Sequence, residues 1–300
     1  MLKKPIISVI VVSWNTRDIT DKCLKCLKSA VGKSKSVADI EVVVVENDSS
    51  DGSYQMIKRK HPWVKLFNSG SDLGYGKGNN YGFKRISKKS DYVLLLNNDA
   101  FVRDDTFIKA LEFMRGHPEC HILGCRLEYL DGRFQPSAGE LPTPLAVWGW
   151  LWNFSHKVHP RNPEYFRDAR EVGWVMGAFL FIKRQVFSDT RGFDENFFMY
   201  MEEVEWCFRA KGLGYKIFYT PSFSVTHVDK ASAFGDPIQL AKIYYREIMG
   251  LKYFLQKHFN SSGWWLKPLM FLGIFARWLG FSLMGNKFRG GAYLRLLKDL

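Results

Sequence analysis

Short apolar runs alternate with amphipathic stretches over the first hundred residues, and this alternation constrains the fold more than any other feature of the chain. The apolar runs predict strands at residues 6–13, 40–46, 64–67 and 92–96. Segments with helical spacing lie between them, at residues 16–31, 53–60 and 79–88. Strands that alternate with helices indicate βα units and a mainly parallel sheet, which is typical of nucleotide-binding α/β folds.

Composition excludes two other classes of chain. With 300 residues, of which 46% are hydrophobic and 24% charged, the chain buries a core and is neither a disordered tail nor a small disulfide scaffold. No secretory leader precedes the first apolar run, so a reducing, cytoplasmic compartment is expected. The pair Cys23 and Cys26 lacks a second pair, and Cys23 lies on the apolar face of the first predicted helix, which favours core packing over a zinc site.

The second half of the chain has its own sequence of elements. A hairpin is predicted at Asp131-Gly132, followed by a long surface loop over residues 139–163, a strand at 175–182, a helix at about 200–211 and a strand at 216–220. From about residue 236 the chain becomes helical, basic and aromatic. We therefore expect one α/β domain over residues 1–235, made of halves at 1–125 and 126–235, and a helical extension over residues 236–300.

Polar side chains follow each of the first four predicted strands. In open α/β sheets ligands bind beyond the carboxyl ends of the strands, so these residues are expected to share one edge. They are Ser13-Trp14-Asn15, the run from Glu46 to Ser53, Asn68-Ser69-Gly70 and Asn97-Asn98-Asp99. Turn and helix-cap chemistry explains part of this set, and a helix cap is an open alternative for Asp51. It does not require a carboxylate directly after the apolar run Leu94-Leu95-Leu96, so a functional role is favoured for Asp99.

Four of these segments, taken in order, resemble the motifs of inverting glycosyltransferase family 2, and are most similar to its rhamnosyltransferase-like branch. The segments are Val12-Ser13-Trp14-Asn15, the run from Glu46 to Ser53, the run from Leu73 to Asn80, and Leu95-Leu96-Asn97-Asn98-Asp99. The resemblance covers about residues 6–230. It implies the GT-A type of α/β fold, with a mainly parallel central sheet, and a nucleotide-diphosphate sugar, dTDP- or UDP-linked, as donor.

The resemblance also implies a divalent cation, Mg²⁺ or Mn²⁺, beside the diphosphate. Asp99 is the expected ligand, and His227 matches the histidine that the family places after its last core strand. The family's Asp-x-Asp motif stands here as Asn97-Asn98-Asp99, so an amide replaces the first carboxylate. Mg²⁺ needs only one or two protein carboxylates, because phosphate oxygens and water fill its other positions.

The remaining donor contacts follow from the same motifs. The resemblance implies that Asp48 accepts a hydrogen bond from the imide N–H of a uracil or thymine ring. Glycines such as Gly74 permit close approach of the backbone to a phosphate or sugar, and Lys77 lies nearby to offset charge. The expected donor-binding residues are Asn15, Asp48, Gly74, Lys77, Asn97 and Asp99.

An inverting transfer also needs a base for the acceptor hydroxyl. Glu203 occupies the place where the family's base is usually Asp, and Glu202 is the next candidate. These acids are alternatively explained by the favourable effect of negative charge at a helix N-terminus. Trp174 is a candidate for stacking on the acceptor sugar, with core packing an equally open explanation.

Charge is concentrated at the end of the chain. Of a net charge of +13, residues 241–300 contribute +8, from ten basic and two acidic side chains. Residues 264–284 are largely apolar but contain Lys267, Pro268 and Arg277, which disfavours a membrane span. We expect helices that lie on the inner leaflet of the membrane, with spanning and plain packing as the alternatives.

The sequence thus predicts a cytoplasmic, peripheral membrane enzyme: a metal-dependent glycosyltransferase that moves a sugar, rhamnose by resemblance, to a polysaccharide or lipid-linked glycan. One alternative is a non-catalytic basic protein that binds nucleic acid or acidic lipid. Another is a nicotinamide-dependent oxidoreductase, which is disfavoured because the first βα turn, Ser13 to Arg17, contains no glycine.

Overall fold

The computed structural model of the chain describes residues 3–151, 158, 160, 162–228, 237–259 and 266–299. Within these ranges the strands are β1 (Ile6–Ser13), β2 (Asp39–Glu46), β3 (Lys65–Asn68), β4 (Tyr92–Asn97), β5 (Ala100–Phe101), β6 (Cys120–Glu128), β7 (Phe134–Gln135), β8 (Ala138–Gly139), β9 (Arg170–Val172), β10 (Trp174–Val175), β11 (Phe179–Lys183) and β12 (Lys216–His227). The helices are α1 (Arg17–Lys33), α2 (Ser53–Lys60), α3 (Gly74–Phe83), α4 (Thr106–Gly116), α5 (Pro144–Leu151), α6 (Arg184–Asp189), α7 (Glu202–Gly212), α8 (Pro237–Phe259), α9 (Leu266–Leu283) and α10 (Lys287–Asp299).

Most of the strands form one central sheet, in the order β3-β2-β1-β4-β11-β6-β12-β5. The first four run parallel, β11 is antiparallel to both of its neighbours, and β6 and β12 are parallel to each other. The apolar residues of β1 are buried on both faces, as expected for a central parallel strand. Because β11 inserts between β4 and β6, the halves expected at residues 1–125 and 126–235 share this sheet.

Two apolar layers cover the faces of the sheet. Ile7, Val9 and Val11 of β1 belong to a buried cluster with residues of α1 and α4, whereas Ile10 belongs to a second cluster with residues of α6 and α7. The side chain of Cys23 is fully buried in the first cluster, which confirms core packing for this cysteine. This alternation along one strand lets helices pack against both faces of the sheet.

The C-terminal helices have a core of their own. Leu251 and Phe254 of α8 pack with Ile274 of α9 and Tyr293 of α10, and Val147 of α5 joins them. Within the part of the chain that the structure describes, no helix combines the length and the apolar character needed to cross a bilayer. Trp264, at the start of the predicted apolar stretch, and the domain boundary expected at residues 235–236 lie outside the described residues.

The predicted positions of the first helices need one correction. The bounds predicted for the first helix agree with α1 within a few residues, and those predicted for the second agree with α2 at both ends. The third helix, α3, begins at Gly74 and not at residue 79. Its glycines disfavour a helix by intrinsic propensity, yet they let the helix lie against β1: a Cβ atom at Gly78 would be 2.8 Å from a Val12 methyl carbon. Packing against the sheet therefore overrides local propensity.

Three later predictions were also inexact. The strand predicted at residues 175–182 is interrupted at residues 176–178 and forms β10 and β11. The strand predicted at residues 216–220 continues to His227 through a shift in its register with β6. The loop predicted at residues 139–163 contains α5. The hairpin at Asp131-Gly132 is confirmed, since β6 pairs antiparallel with β7 across this turn.

Candidate active site

A cavity of about 560 Å³ lies beyond the carboxyl ends of β1, β2 and β4. Asn47, Asn97 and Asp99 line it from the sheet, and Glu202 and Glu203 line it from the start of α7. The polar edge predicted from the strand ends and the predicted base therefore meet in one cavity. Its volume is within the range of pockets that bind small molecules.

Asp99 and His227, the predicted cation ligands, lie side by side in this lining. The short strand β5 directly follows Asp99 and pairs with the end of β12, where Ala100 is opposite His227. His227 Nε2 is 3.3 Å from Asp99 Oδ1, and the two residues are only 4% and 8% exposed. A two-residue strand thus joins two groups that are far apart in the sequence.

The chemistry of this pair fits a divalent cation. The Gln135 amide oxygen is 3.1 Å from His227 Nδ1 and can accept a hydrogen bond from it. In the tautomer that carries its proton on Nδ1, the ring presents the lone pair of Nε2 to Asp99. Among the described residues, nothing donates a hydrogen bond to Asp99 Oδ1. No group of three or more His, Cys, Asp or Glu side chains suited to a metal occurs within the described ranges.

Glu202 and Glu203 are a second pair of polar groups in the same lining. Glu202 is 3% exposed, and among the described residues neither Glu202 Oε2 nor Glu203 Oε2 has a hydrogen-bond partner. Burial and then the charge of Glu203 raise the pKa of Glu202. Burial also raises the pKa of Glu203, although the Gly177 backbone N–H favours its charged form. Carboxyl groups whose pKa is raised in this way are stronger bases than exposed glutamates, which suits them to proton transfer.

Tyr75 connects this pair to the rest of the cavity. Its hydroxyl donates to the Gly177 carbonyl oxygen at 2.8 Å. Burial, followed by the charges of Glu203 and Glu202, raises the pKa of Tyr75, so its phenol stays protonated and can donate. A Cβ atom at Gly177 would lie 2.8 Å from the phenol oxygen, so this position requires glycine.

Two buried anchors hold α7 in place. The Asn80 side chain accepts from the Phe193 N–H and donates to the Phe193 carbonyl, both at 2.9 Å. The fully buried Trp206 donates from Nε1 to Thr190 Oγ1 at 2.7 Å. The glycine- and asparagine-rich run of the family motif therefore contributes directly to the position of the segment before α7.

Three of the predicted donor-binding residues, Asp99 and two others, lie in the cavity lining. Gly74 and Asn97 face the cavity, and the Gly74 carbonyl accepts a hydrogen bond of 3.2 Å from Asn47 Nδ2. Asn98 also contributes to the lining, but its amide donates to Thr20 Oγ1 at 2.9 Å and so ties the loop to α1. Of the two amides before Asp99, Asn97 is the one we expect to contact the substrate.

Asn15, Asp48 and Lys77 do not belong to the lining. Asn15 Oδ1 accepts from the Ser50 N–H at 2.9 Å and thereby holds the loop after β2. Asp48 lies in this loop, exposed and with a left-handed φ of 57°, next to the cavity residue Asn47. Lys77 is partly exposed on α3. Their expected contacts with the donor stay predictions.

Asp51 and Trp174 have clear structural contacts. Asp51 accepts from the Arg17 N–H at 2.8 Å and from the Ser53 N–H at 3.0 Å, so it caps the starts of both α1 and α2. Trp174 lines the cavity but is 4% exposed, and its indole N–H donates to the Val158 carbonyl at 3.0 Å. Only part of its ring is therefore available to an acceptor.

Sequence reasoning missed Gln135 and Tyr75 as functional candidates. Tyr75 stands inside the quoted glycine-rich motif, so its position was a usable signal. Gln135 lies in the second strand of a hairpin, and nothing in its sequence surroundings indicates that it reaches His227.

The sheet and the helices on its two faces define the class of fold, which is the GT-A type. Among solved structures, the mannosyltransferase PcManGT from Pyrobaculum calidifontis, in complex with GDP-Man and Mn²⁺, matches 99% of this chain and 82% of its own at a TM-score of 0.56 and 16% identity. S. aureus TarS 1-349 in complex with UDP matches 92% of this chain and 79% of its own at a TM-score of 0.52 and 19% identity. At these identities the likeness shows the fold.

The family follows from the sequence. The family described as "Glycosyltransferase like family 2" matches residues 5–249, so the chain belongs to it and is a glycosyltransferase with a nucleotide-sugar donor. A similar curated protein is the N-acetylglucosaminyl-diphospho-decaprenol L-rhamnosyltransferase of Mycobacterium tuberculosis, 27% identical over 286 residues, with 88% of each chain covered. Rhamnosyltransferase WbbL of Escherichia coli strain K12 is 22% identical over 226 residues, with 73% of this chain and 82% of WbbL covered. The alternatives of a non-catalytic binding protein and an oxidoreductase are set aside.

Proposed function

We propose that this protein is an inverting, cation-assisted rhamnosyltransferase that uses a dTDP-linked donor and a lipid-linked glycan acceptor. One observation carries the proposal: Asp99 and His227 share a cavity with Glu202 and Glu203. The rhamnosyltransferase names of the relatives from Mycobacterium tuberculosis and Escherichia coli support the sugar, and the decaprenol in the first of these names supports a lipid-linked acceptor.

The donor end of the cavity is assigned to the diphosphate. Asp99 and His227 would hold a Mg²⁺ or Mn²⁺ ion, which offsets the charge that develops on the leaving diphosphate. Asn97 is assigned to the sugar or ribose, and the exposed Asp48 is assigned to the imide N–H of the base. The free lone pair on Asp99 and the orientation of His227 by Gln135 support this assignment.

Glu203 is assigned as the base. Its carboxylate takes the proton of the acceptor hydroxyl while the hydroxyl oxygen bonds to the anomeric carbon. The bond from that carbon to the diphosphate oxygen breaks in the same step, and the nucleoside diphosphate leaves with the electron pair. Burial of the Glu202–Glu203 pair, which raises the pKa of both carboxyls, supports a base that is stronger than an exposed glutamate.

The C-terminal helices are assigned to the inner face of the membrane. The exposed apolar side chains of α9 recur at helical spacing and form a surface that we name the α9 stripe: Phe271, Leu272, Phe275, Leu279 and Leu283. The neighbouring helix α10 exposes Lys287, Arg295 and Lys298. Apolar side chains next to basic ones are typical of helices that lie in the headgroup region of acidic membranes.

A transfer assay with defined substrates tests the enzymatic proposal. Wild-type protein with Mg²⁺ or Mn²⁺ is expected to move rhamnose from dTDP-rhamnose to a polyprenyl-diphosphate-linked acceptor, with UDP-glucose as the comparison donor. Asp99→Asn and chelation by EDTA are expected to lower the rate by about a hundredfold or more. Asp105→Asn, at the partly exposed start of α4, is the matched control. Full activity of Asp99→Asn would overturn the cation assignment, and transfer from UDP-glucose alone would overturn the donor.

A further inference from the structure

The two residues directly before α7 have a strained backbone. Tyr200 and Met201 have φ angles of 73° and 71°, in the left-handed region that non-glycine residues rarely adopt. Such conformations are strained and persist only where the surroundings hold them. Both residues line the cavity, and Glu202 follows immediately.

Two glycines hold this segment from either side. A Cβ atom at Gly74 of α3 would be 2.2 Å from the Phe198 carbonyl oxygen, and one at Gly250 of α8 would be 2.9 Å from the Tyr200 carbonyl oxygen. Only glycine allows such close contact between backbones. Helix α8, which belongs to the C-terminal helices, is therefore part of the frame around the strained residues.

Lys257 of α8 contacts the chain on both sides of the same segment. Its Nζ atom is 2.7 Å from Asp194 Oδ2, before the strained residues, and 2.7 Å from Glu205 Oε1, after them. Burial alone would lower the pKa of Lys257, but its bonds to Asp194 and Glu205 raise it, so the ammonium stays charged. One cation thus ties the two ends of the loop that delivers Glu202 and Glu203.

Further contacts make this a network rather than a single surface pair. Glu205 is fully buried, and it also accepts from Arg209 Nε at 2.9 Å and lies 3.1 Å from His258 Nε2. The Tyr253 hydroxyl donates to Asp194 Oδ2 at 3.2 Å. A buried carboxylate with several charged partners has one favoured geometry, since each lost partner leaves uncompensated charge.

We propose that Lys257 is a positioning residue for the reaction: by joining Asp194 to Glu205 it sets the start of α7, and through it the carboxyl of Glu203, relative to the acceptor. The inference rests on the proposed role of Glu203. It makes α8 a component of the active site and not only an attachment helix. A displacement of about 1 Å at a reacting group lowers a rate by about a hundredfold, so small shifts of α7 have a large effect.

The test distinguishes a change in the position of Glu203 from a change in donor binding. Lys257→Met is expected to lower kcat by about 10- to 100-fold, while the Kd for dTDP with Mn²⁺ stays within about twofold of wild type. Lys257→Arg keeps the charge and is expected to recover most of kcat. Lys109→Met, which removes an ion-paired lysine from the surface of α4, is the matched control and is expected to keep wild-type kcat.

Hydrogen exchange gives a readout that does not depend on activity. In Lys257→Met the amides of residues 194–205 are expected to exchange faster, whereas those of β1 and β4 keep their protection. An unchanged kcat in Lys257→Met, or loss of dTDP binding together with kcat, would overturn the inference. If wild-type protein shows no transfer, the function proposed above fails, and unchanged exchange in residues 194–205 would then reject the positioning role independently.

Discussion

At the scale of single residues, the three glutamates at the start of α7 lie in two different environments. Glu202 and Glu203 face the cavity, and burial raises the pKa of both. Glu205 faces away from the cavity: burial opposes its charge, but hydrogen bonds from Arg209 and Lys257 lower its pKa. Attraction to the helix N-terminus does not distinguish these neighbours, so their local partners decide which carboxylates are available for chemistry.

The raised pKa of Glu203 predicts the acid side of the activity profile. As a base Glu203 must be ionised, so kcat is expected to fall as the pH drops through a pKa above the usual value of about 4.3. Glu203→Gln is expected to lose about a thousandfold in kcat with donor binding retained, whereas Glu164→Gln, an exposed control, keeps full activity. A pH profile of kcat for the wild type measures this fall on the acid side. A midpoint near about 4.3 would contradict the assignment of Glu203 as the base.

The raised pKa of the buried Glu202 predicts how the stability of the fold depends on pH. The pKa of Glu202 is higher in the folded state than in the unfolded state, so the folded state binds the proton more tightly. The stability that this proton contributes is lost as the pH rises from the unfolded pKa through the folded pKa. Glu202→Gln is therefore expected to have a higher midpoint temperature of unfolding than wild type at pH 8, and to lose this advantage at pH 4. Thermal unfolding at both pH values measures this, and a lower midpoint for the variant at pH 8 would reject it.

At the scale of elements, α3 shows how glycine serves packing. A Cβ atom at Gly82 would be 2.5 Å from Ile10 Cγ2 and 3.2 Å from a methyl of Val45, whereas one at Gly32 in α1 would meet nothing within 4 Å. Gly82→Ala is expected to destabilise the fold by about 1–3 kcal/mol through overpacking. Gly32→Ala is expected to stabilise it by about 0.5–1 kcal/mol, because alanine suits a helix better. Urea unfolding midpoints compare the two, and equal effects would contradict the packing argument.

The elements also show what the sequence could and could not predict. Strands β1, β2 and β4 were predicted within a residue because their apolar runs are long and end abruptly in polar residues. The predicted start of α3 was wrong because helix propensity does not take the contact with β1 into account. The pairing of Asp99 with His227 was expected only through the family resemblance, since a two-residue strand such as β5 has no periodic signal. Asn80 and Gln135 act through contacts between distant segments, which no local pattern reveals.

At the scale of the whole molecule, charge and apolar surface are gathered in the C-terminal helices. The last 60 residues carry +8 of the net +13, and the α9 stripe exposes large apolar side chains, among them Leu283 at 80%. Helix α8 packs against the segment before α7 through Gly250 and Lys257. The same group of helices therefore links the proposed membrane contact to the cavity, which would hold the active site at the level of a lipid-linked acceptor.

Vesicle binding tests this arrangement. Wild-type protein is expected to sediment with vesicles that contain acidic lipid and to be released as salt rises, because exposed charges are screened. The double variant Phe271→Ser, Phe275→Ser is expected to bind at least about tenfold more weakly, since each buried phenylalanine contributes about 1.5–3 kcal/mol. Leu213→Ser, which removes an exposed apolar side chain beyond α7, is the control and is expected to bind like wild type. Equal binding by the double variant and the control would show that the α9 stripe does not contact the bilayer. Transfer to a short water-soluble acceptor serves as the check on folding. If the double variant keeps this activity, its weaker vesicle binding is a loss of membrane docking and not of the fold.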